Sequence, residues 1–133
     1  INLLNVISEH FSSPEMAQKL AMIAEFAGGF EQWFQMETIV ALVNAEIFAT
    51  VTGKTEFDAD IIVRDDSKEL GIELRCGGVQ NMINALTDHP NADLYLFLFR
   101  NNNDMLSQLV KQLRGRDNIH KKLDSNWIIM LVK

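Results

Sequence analysis

The spacing of apolar residues changes along the chain and divides it into helical and extended stretches. Leu3, Leu4, Ile7 and Phe11 recur at helical intervals, so residues 2–11 read as a short amphipathic helix. Ser12-Ser13-Pro14-Glu15 is a helix start, with Ser13 as N-cap and Pro14 in the first turn. The helix it opens carries Met16, Leu20, Ile23, Ala24 and Ala27 and stops at Gly28-Gly29. From Phe30 to Thr50 the pattern predicts a third helix. Its Trp33, Phe34, Met36, Ile39, Val40, Leu42, Val43, Ile47 and Phe48 cover most of the circumference, the mark of a buried helix. Glu37 sits in the middle of it, and a carboxylate there needs a partner, a metal or a proton.

After Gly53 the period shortens to two. Phe57, Ala59, Ile61 and Val63 face one way, and Asp58, Asp60, Ile62 and Arg64 the other. Asp65-Asp66-Ser67 is turn chemistry, and Leu70–Cys76 alternates again, with Glu73 and Arg75 on one face and Leu74 and Cys76 on the other. The short turn makes the two strands an antiparallel hairpin. Val79–Asp88 reads as a helix closed by His89-Pro90, and Ala92–Phe99 is apolar enough to be a strand buried on both faces. Asp104–Gly115 is a helix and Trp127–Val132 a last strand. The order predicts a mixed α/β sheet covered by helices (an α+β arrangement) in a single domain over residues 1–133.

Composition changes this picture little. The 133 residues are 47% hydrophobic and 23% charged, ordinary for a globular chain with a real core. No apolar run approaches the roughly 20 residues that span a bilayer, no secretory signal is visible, and one cysteine, Cys76, forms neither an internal disulfide nor a zinc cluster. A reducing cytoplasm, with no membrane, is the expected setting. The net charge of −6 disfavours a surface that grips nucleic acid all over, but the charge is uneven. Residues 1–73 hold 13 acids and 4 bases, and residues 74–133 hold 5 acids and 8 bases. Lys111, Arg114, Arg116, Lys121 and Lys122 fall close together, either as a solvated helix face and loop or as a patch that contacts phosphates. His10, His89 and His120 show no metal-ligand spacing, and Cys76 is expected to face the core.

The chemistry concentrates on Asp60 and Glu73-Leu74-Arg75, two carboxylates on neighbouring strands with a cation two residues beyond the second. Asp58 shares the face of Asp60, and Asp60 is preferred because it directly precedes Ile61-Ile62-Val63. Together with Glu37 in the preceding helix and the apolar strand Asp93–Phe99, this order resembles the PD-(D/E)XK restriction-endonuclease-like superfamily over roughly residues 30–100. The resemblance implies a core of helix, antiparallel meander, helix and strand. Residues 1–28 would be an N-terminal helical extension, and the C-terminal helix and strand additions. The first meander strand would lie at Val51-Thr52 or within residues 50–57.

The resemblance also implies phosphodiester hydrolysis with magnesium or manganese, held by Asp60, Glu73 and the Leu74 carbonyl, with Glu37 as a further acid from the helix. Arg75 stands where the family has lysine. A guanidinium grips phosphate but does not serve as a base, so activity would be weak or lost if a titrating amine is required, unless Lys54 supplies one. The alternative is a non-catalytic protein on the same scaffold. Glu73 and Arg75 would then pair with Asp58, Asp60 or Arg64 across the hairpin, Glu37 would salt-bridge Arg75, and the protein would act through a protein partner or as a homodimer.

Overall fold

A computed structural model describes residues 2–23, 30–53, 58–102, 104–123 and 126–133. Among them are five helices and six strands. The order is α1 (Leu3–Phe11), α2 (Pro14–Ile23), α3 (Glu31–Asn44), β1 (Ala49–Val51), β2 (Ile61–Asp65), β3 (Lys68–Cys76), α4 (Val79–Asp88), β4 (Leu94–Arg100), α5 (Met105–Gln112), β5 (Asn118–Lys122) and β6 (Trp127–Val132). The strands form one mixed sheet in the order β1-β2-β3-β4-β6-β5. Only β3 and β4 run parallel, joined by the α4 crossover that such a pair requires. Among the described residues no helix is long and apolar enough to cross a membrane.

The pleat sorts the core into two layers. Ile61, Val63, Ile72, Leu74, Cys76, Leu96, Leu98 and Ile129 meet α1, α2 and α3 on one face. Tyr95, Phe97, Phe99, Ile128, Met130 and Val132 meet Met82 and Ala85 of α4 and Leu109 of α5 on the other. Local signals act as the sequence predicts. Ser13 Oγ accepts from the Met16 amide at 3.2 Å and caps α2. Asp66 and Ser67, at φ 46° and 71°, make the two-residue turn joining β2 to β3.

Three expectations need correction. The third helix ends at Asn44, not Thr50, in a Schellman motif. The Ile47 amide reaches the Leu42 carbonyl and the Glu46 amide the Val43 carbonyl, both at 2.9 Å, with Glu46 left-handed at φ 63°. Leu42 and Ile47 bury the accompanying apolar contact, and the chain leaves the motif to form β1. Nor is α3 buried all round, since Met36, Val40 and Val43 form an exposed line. The strand predicted from Phe57 to Val63 begins only at Ile61, so Asp58, Ala59 and Asp60 precede it in a bend. Lys54, Phe57 and the Ala24–Gly29 stretch lie outside the described residues.

The left-handed Glu46 gives a stability test. Glycine adopts this conformation without a Cβ penalty, so Glu46→Gly is expected to raise stability by about 0.5–1 kcal/mol. A urea midpoint that falls instead would show that Glu46 carries no backbone strain.

Candidate active-site cleft

The site forms where β2 and β3 part. Their pairing ends at Ile61 opposite Ile72. Asp60 keeps one more backbone bond, from its amide to the Ile72 carbonyl (3.1 Å), while Thr52 donates its amide to the Asp60 carbonyl (3.1 Å). Two residues further along β3, the Leu74 amide has a side-chain acceptor instead of a strand, Asp60 Oδ2 at 2.9 Å. By strand geometry the Leu74 carbonyl points to the same edge as its amide.

Glu73 and Arg75 project from β3 on the α4 side, beside Tyr95 and Phe97 of β4. The Glu73 side chain is only 3% exposed, and Oε1 is buried without a hydrogen-bond partner among the described residues. Burial, then the neighbouring Asp60 charge, pushes its pKa up to about 7, against the opposing effect of the Arg75 hydrogen bond. Arg75 is held on three sides. Its Nε donates to Glu73 Oε2 at 3.0 Å, its Nη1 to the Asn81 carbonyl and Oδ1 at 3.4 and 3.3 Å, and its Nη2 lies 3.6 Å from Asp88 Oδ2.

Glu37 does not reach this site. Its Oε1 is 2.9 Å from His10 Nε2 and its Oε2 3.6 Å from Lys19 Nζ, so it ties α3 to α1 and α2. The reason is helical phase. At 100° per residue Glu37 lies about 200° round from Gln35, and Gln35 with Glu31 is what α3 turns toward the cleft. Glu31 Oε1 accepts from Asn81 Nδ2 at 3.2 Å. The cleft of about 320 Å3 is lined by Glu31, Gln35, Asp60, Glu73, Leu74, Arg75, Asn81 and His89. It meets a second hollow of about 310 Å3 along Gln35, Asp60 and His89.

Three of these residues were not singled out from sequence, namely Glu31, Gln35 and Asn81. The i, i+4 spacing of Glu31 and Gln35 on one helix face was the available signal. His89 was read as turn chemistry, yet its Nε2 lies 3.4 Å from Glu73 Oε2 and its Nδ1 3.0 Å from Asp58 Oδ1. Asp58 also accepts from the Asn91 amide at 3.0 Å, and that bond foremost, with His89 adding to it, holds its carboxyl below the usual range. Tyr95 fixes the His89 backbone by donating its hydroxyl to the carbonyl at 2.6 Å. Cys76 is buried in the core as expected, and burial raises its pKa.

The basic segment does not assemble into one patch beside the cleft. Lys111 lies on α5, Arg114 and Arg116 follow it, and Lys121 and Lys122 stand on β5, the sheet edge three strands from β3. The register puts Lys121 with Ile129 on the α1 side, where its Nζ reaches Asn5 Oδ1, and Lys122 with Ile128 on the other. Arg116 lies over the Tyr95 ring, 5.7 Å from its centroid.

Among the described residues no group of three or more His, Cys, Asp or Glu side chains is arranged to hold a metal ion. What the edge of β3 offers is a smaller set, the Asp60 carboxylate, the unpartnered Glu73 oxygen and the Leu74 carbonyl. Magnesium commonly takes one or two carboxylates and fills its remaining positions with water and phosphate, so this set fits. Comparison with protein-family models, with curated proteins and with solved structures returned no match.

The raised pKa of Glu73 makes stability depend on pH. Between its ordinary value of 4.5 and about 7, the folded protein binds more protons than the unfolded chain, so stability falls as pH rises through that window and levels off above it. The penalty at pH 8 is at most on the order of 3 kcal/mol. Thermal melts in EDTA are expected to show the fall in wild type and a flatter profile in Glu73→Gln. Parallel profiles for the two proteins would show that Glu73 ionises normally.

Proposed function

We propose that the cleft is a metal-dependent phosphodiesterase centre of the restriction-endonuclease-like kind, acting on nucleic acid. The observation that carries this reading is the convergence of Asp60 and Glu73 at the open edge of β3, with one buried carboxylate oxygen that has no hydrogen-bond partner among the described residues. The order α3-β1-β2-β3-α4-β4, with antiparallel β1-β2-β3 and parallel β3-β4, supports it as well. In this reading Asp60, Glu73 and the Leu74 carbonyl hold magnesium or manganese, and Glu31 takes the place first assigned to Glu37. When bound, the cation activates water and neutralises charge on the phosphate. Asp60 also keeps the edge of β3 in place through the Leu74 amide. Gln35 and Glu31 close the α3 side of the cleft and orient water there. Arg75, anchored by Asn81 and Asp88, balances the Glu73 charge and presents a guanidinium to the phosphate.

A second reading rests on the same guanidinium. Glu73, Asn81 and Asp88 account for all three of its nitrogens, which is also how a charge network would tie β3 to both ends of α4 in a non-catalytic protein. The exposed line of Met36, Val40 and Val43 would suit the partner or second copy that such a protein requires.

Cleavage of labelled DNA and RNA with magnesium or manganese separates the two. Activity is expected to fall roughly a hundredfold or more in Glu73→Ala and Asp60→Ala. Glu37→Gln is expected to stay within about twofold of wild type and to lose about 1 kcal/mol of stability or less. Cleavage that survives Glu73→Ala undiminished would sink the phosphodiesterase reading.

A further inference from the structure

A further cavity, of about 360 Å3, opens at the carboxyl ends of β3 and β4. Open α/β sheets bind ligands in this position, because the loops leaving parallel strands part there and crossover helices begin there. Its volume lies within the range of small-molecule sites. One wall is aromatic and apolar. Phe30 meets Trp127 edge to face with centroids 6.1 Å apart, and Ile23 and Met105 continue the surface. The other wall carries Arg100, exposed at the end of β4, and no carboxylate among the described residues pairs with it. A guanidinium beside an aromatic surface, with the Glu31 carboxylate further along the lining, suits a ligand with a flat ring at one end and negative charge at the Arg100 end. The cavity adjoins the cleft, across the Glu31–Asn81 hydrogen bond. Glu31 lines both, and the consecutive residues Arg75 and Cys76 line one each.

We propose that this cavity is a nucleotide subsite of the cleft. It receives the base next to the scissile phosphate against Phe30, which the buried Trp127 backs edge to face, and that nucleotide's phosphate at Arg100. The identification of the ligand as a nucleotide rests on the phosphodiesterase reading, while the shape and charge of the cavity do not. Stacking on aromatic side chains tolerates any base, so the subsite holds a strand in place without selecting sequence. It also requires a single-stranded or locally opened substrate, because a base paired within a duplex presents no free face to Phe30.

The backbone supplies a clean variant. Gly78 lines the cavity at φ −83°, and a Cβ built there meets nothing within 4 Å, so a larger side chain is accepted at its rim without strain. Gly77, at φ 99°, does not allow this. The probe is a fluorescein-labelled single-stranded oligonucleotide, followed by anisotropy with calcium in place of magnesium and manganese, so that the carboxylates of the cleft have a cation while binding is read. Tryptophan fluorescence is followed in parallel in a Trp33→Phe background, in which Trp127 alone emits. Wild type is expected to bind with quenching, and Gly78→Leu and Arg100→Glu each to weaken binding roughly tenfold or more. Circular dichroism should match wild type, and Glu37→Gln should bind normally. An oligonucleotide that fails to bind wild type, or that binds Arg100→Glu and a folded Gly78→Leu unchanged, overturns the proposal. A blunt duplex bound more tightly than the single strand overturns it too. Binding that depends on Gly78 and Arg100, in a protein that cuts nothing with either metal, would uphold the subsite and remove the phosphodiesterase reading alone.

Discussion

The cleft depends on one hydrogen bond, from the Leu74 amide to Asp60 Oδ2. β3 runs through the middle of the sheet, and on its β4 side the pairing continues as far as Cys76 opposite Leu98. On the β2 side it stops at Ile72, which leaves a backbone donor in a partly buried place where an unmet amide costs about 1–3 kcal/mol. Asp60 meets that need with a side chain, and in doing so brings its carboxylate beside Glu73. Burial and the charge of Asp60 then favour the neutral form of Glu73. A requirement of folding and the chemical character of the site therefore have one cause.

Arg75 follows from the same arrangement. A buried glutamate next to an aspartate needs a cation close by, and a guanidinium offers donors in several directions at once. Here it spends them on Glu73, on Asn81 near the start of α4 and on Asp88 at its end, so the charge balance of the cleft is built into the β3–α4 packing. A lysine would be a single movable charge in this position. Arginine gives a firmer scaffold and gives up the ability to release a proton. The remaining carboxylates of Glu31 and Asp60 keep the cleft rich in acid, and such a surface repels a phosphate backbone unless a cation accompanies it. The acidic lining and the metal requirement of the phosphodiesterase reading thus belong together.

Much of this was legible in the chain. Period-two alternation put Glu73 and Arg75 on one face, the turn at Asp65-Asp66-Ser67 fixed the hairpin, and His89-Pro90 ended α4 at Asp88. The failures have physical causes. α3 ends in a Schellman motif with glutamate at its left-handed position, where only glycine or asparagine would have been a signal. Reading past that end made the helix look apolar all round and Glu37 look buried without reason. The helix in fact has an outward line at Met36, Val40 and Val43, and Glu37 has His10 and Lys19 for partners, contributed by helices that no local pattern could place. β5 was missed because Asn118–Lys122 is polar. An edge strand that has only to pair with β6 does not need apolar alternation.

The pleat of that edge strand also bears on how a strand of nucleic acid would be held. Five bases within twelve residues resemble a patch only while the segment is taken as one helix and its loop. As a strand, β5 sends Lys121 and Lys122 to opposite faces, Lys121 is engaged by Asn5, and Arg116 is laid on Tyr95. Proximity in sequence has been turned into separation in space, with Lys121 and Lys122 three strands from β3 and Arg116 against β4, next to it. Arg100 goes the other way. It is isolated in sequence, yet the parallel pairing of β3 and β4 brings the end of its strand level with the end of the strand bearing Glu73 and Arg75. Under the phosphodiesterase reading, the cation that matters for holding substrate is the one the topology delivers to the carboxyl ends of the parallel strands, and the density of charge along the chain is a poor guide to it.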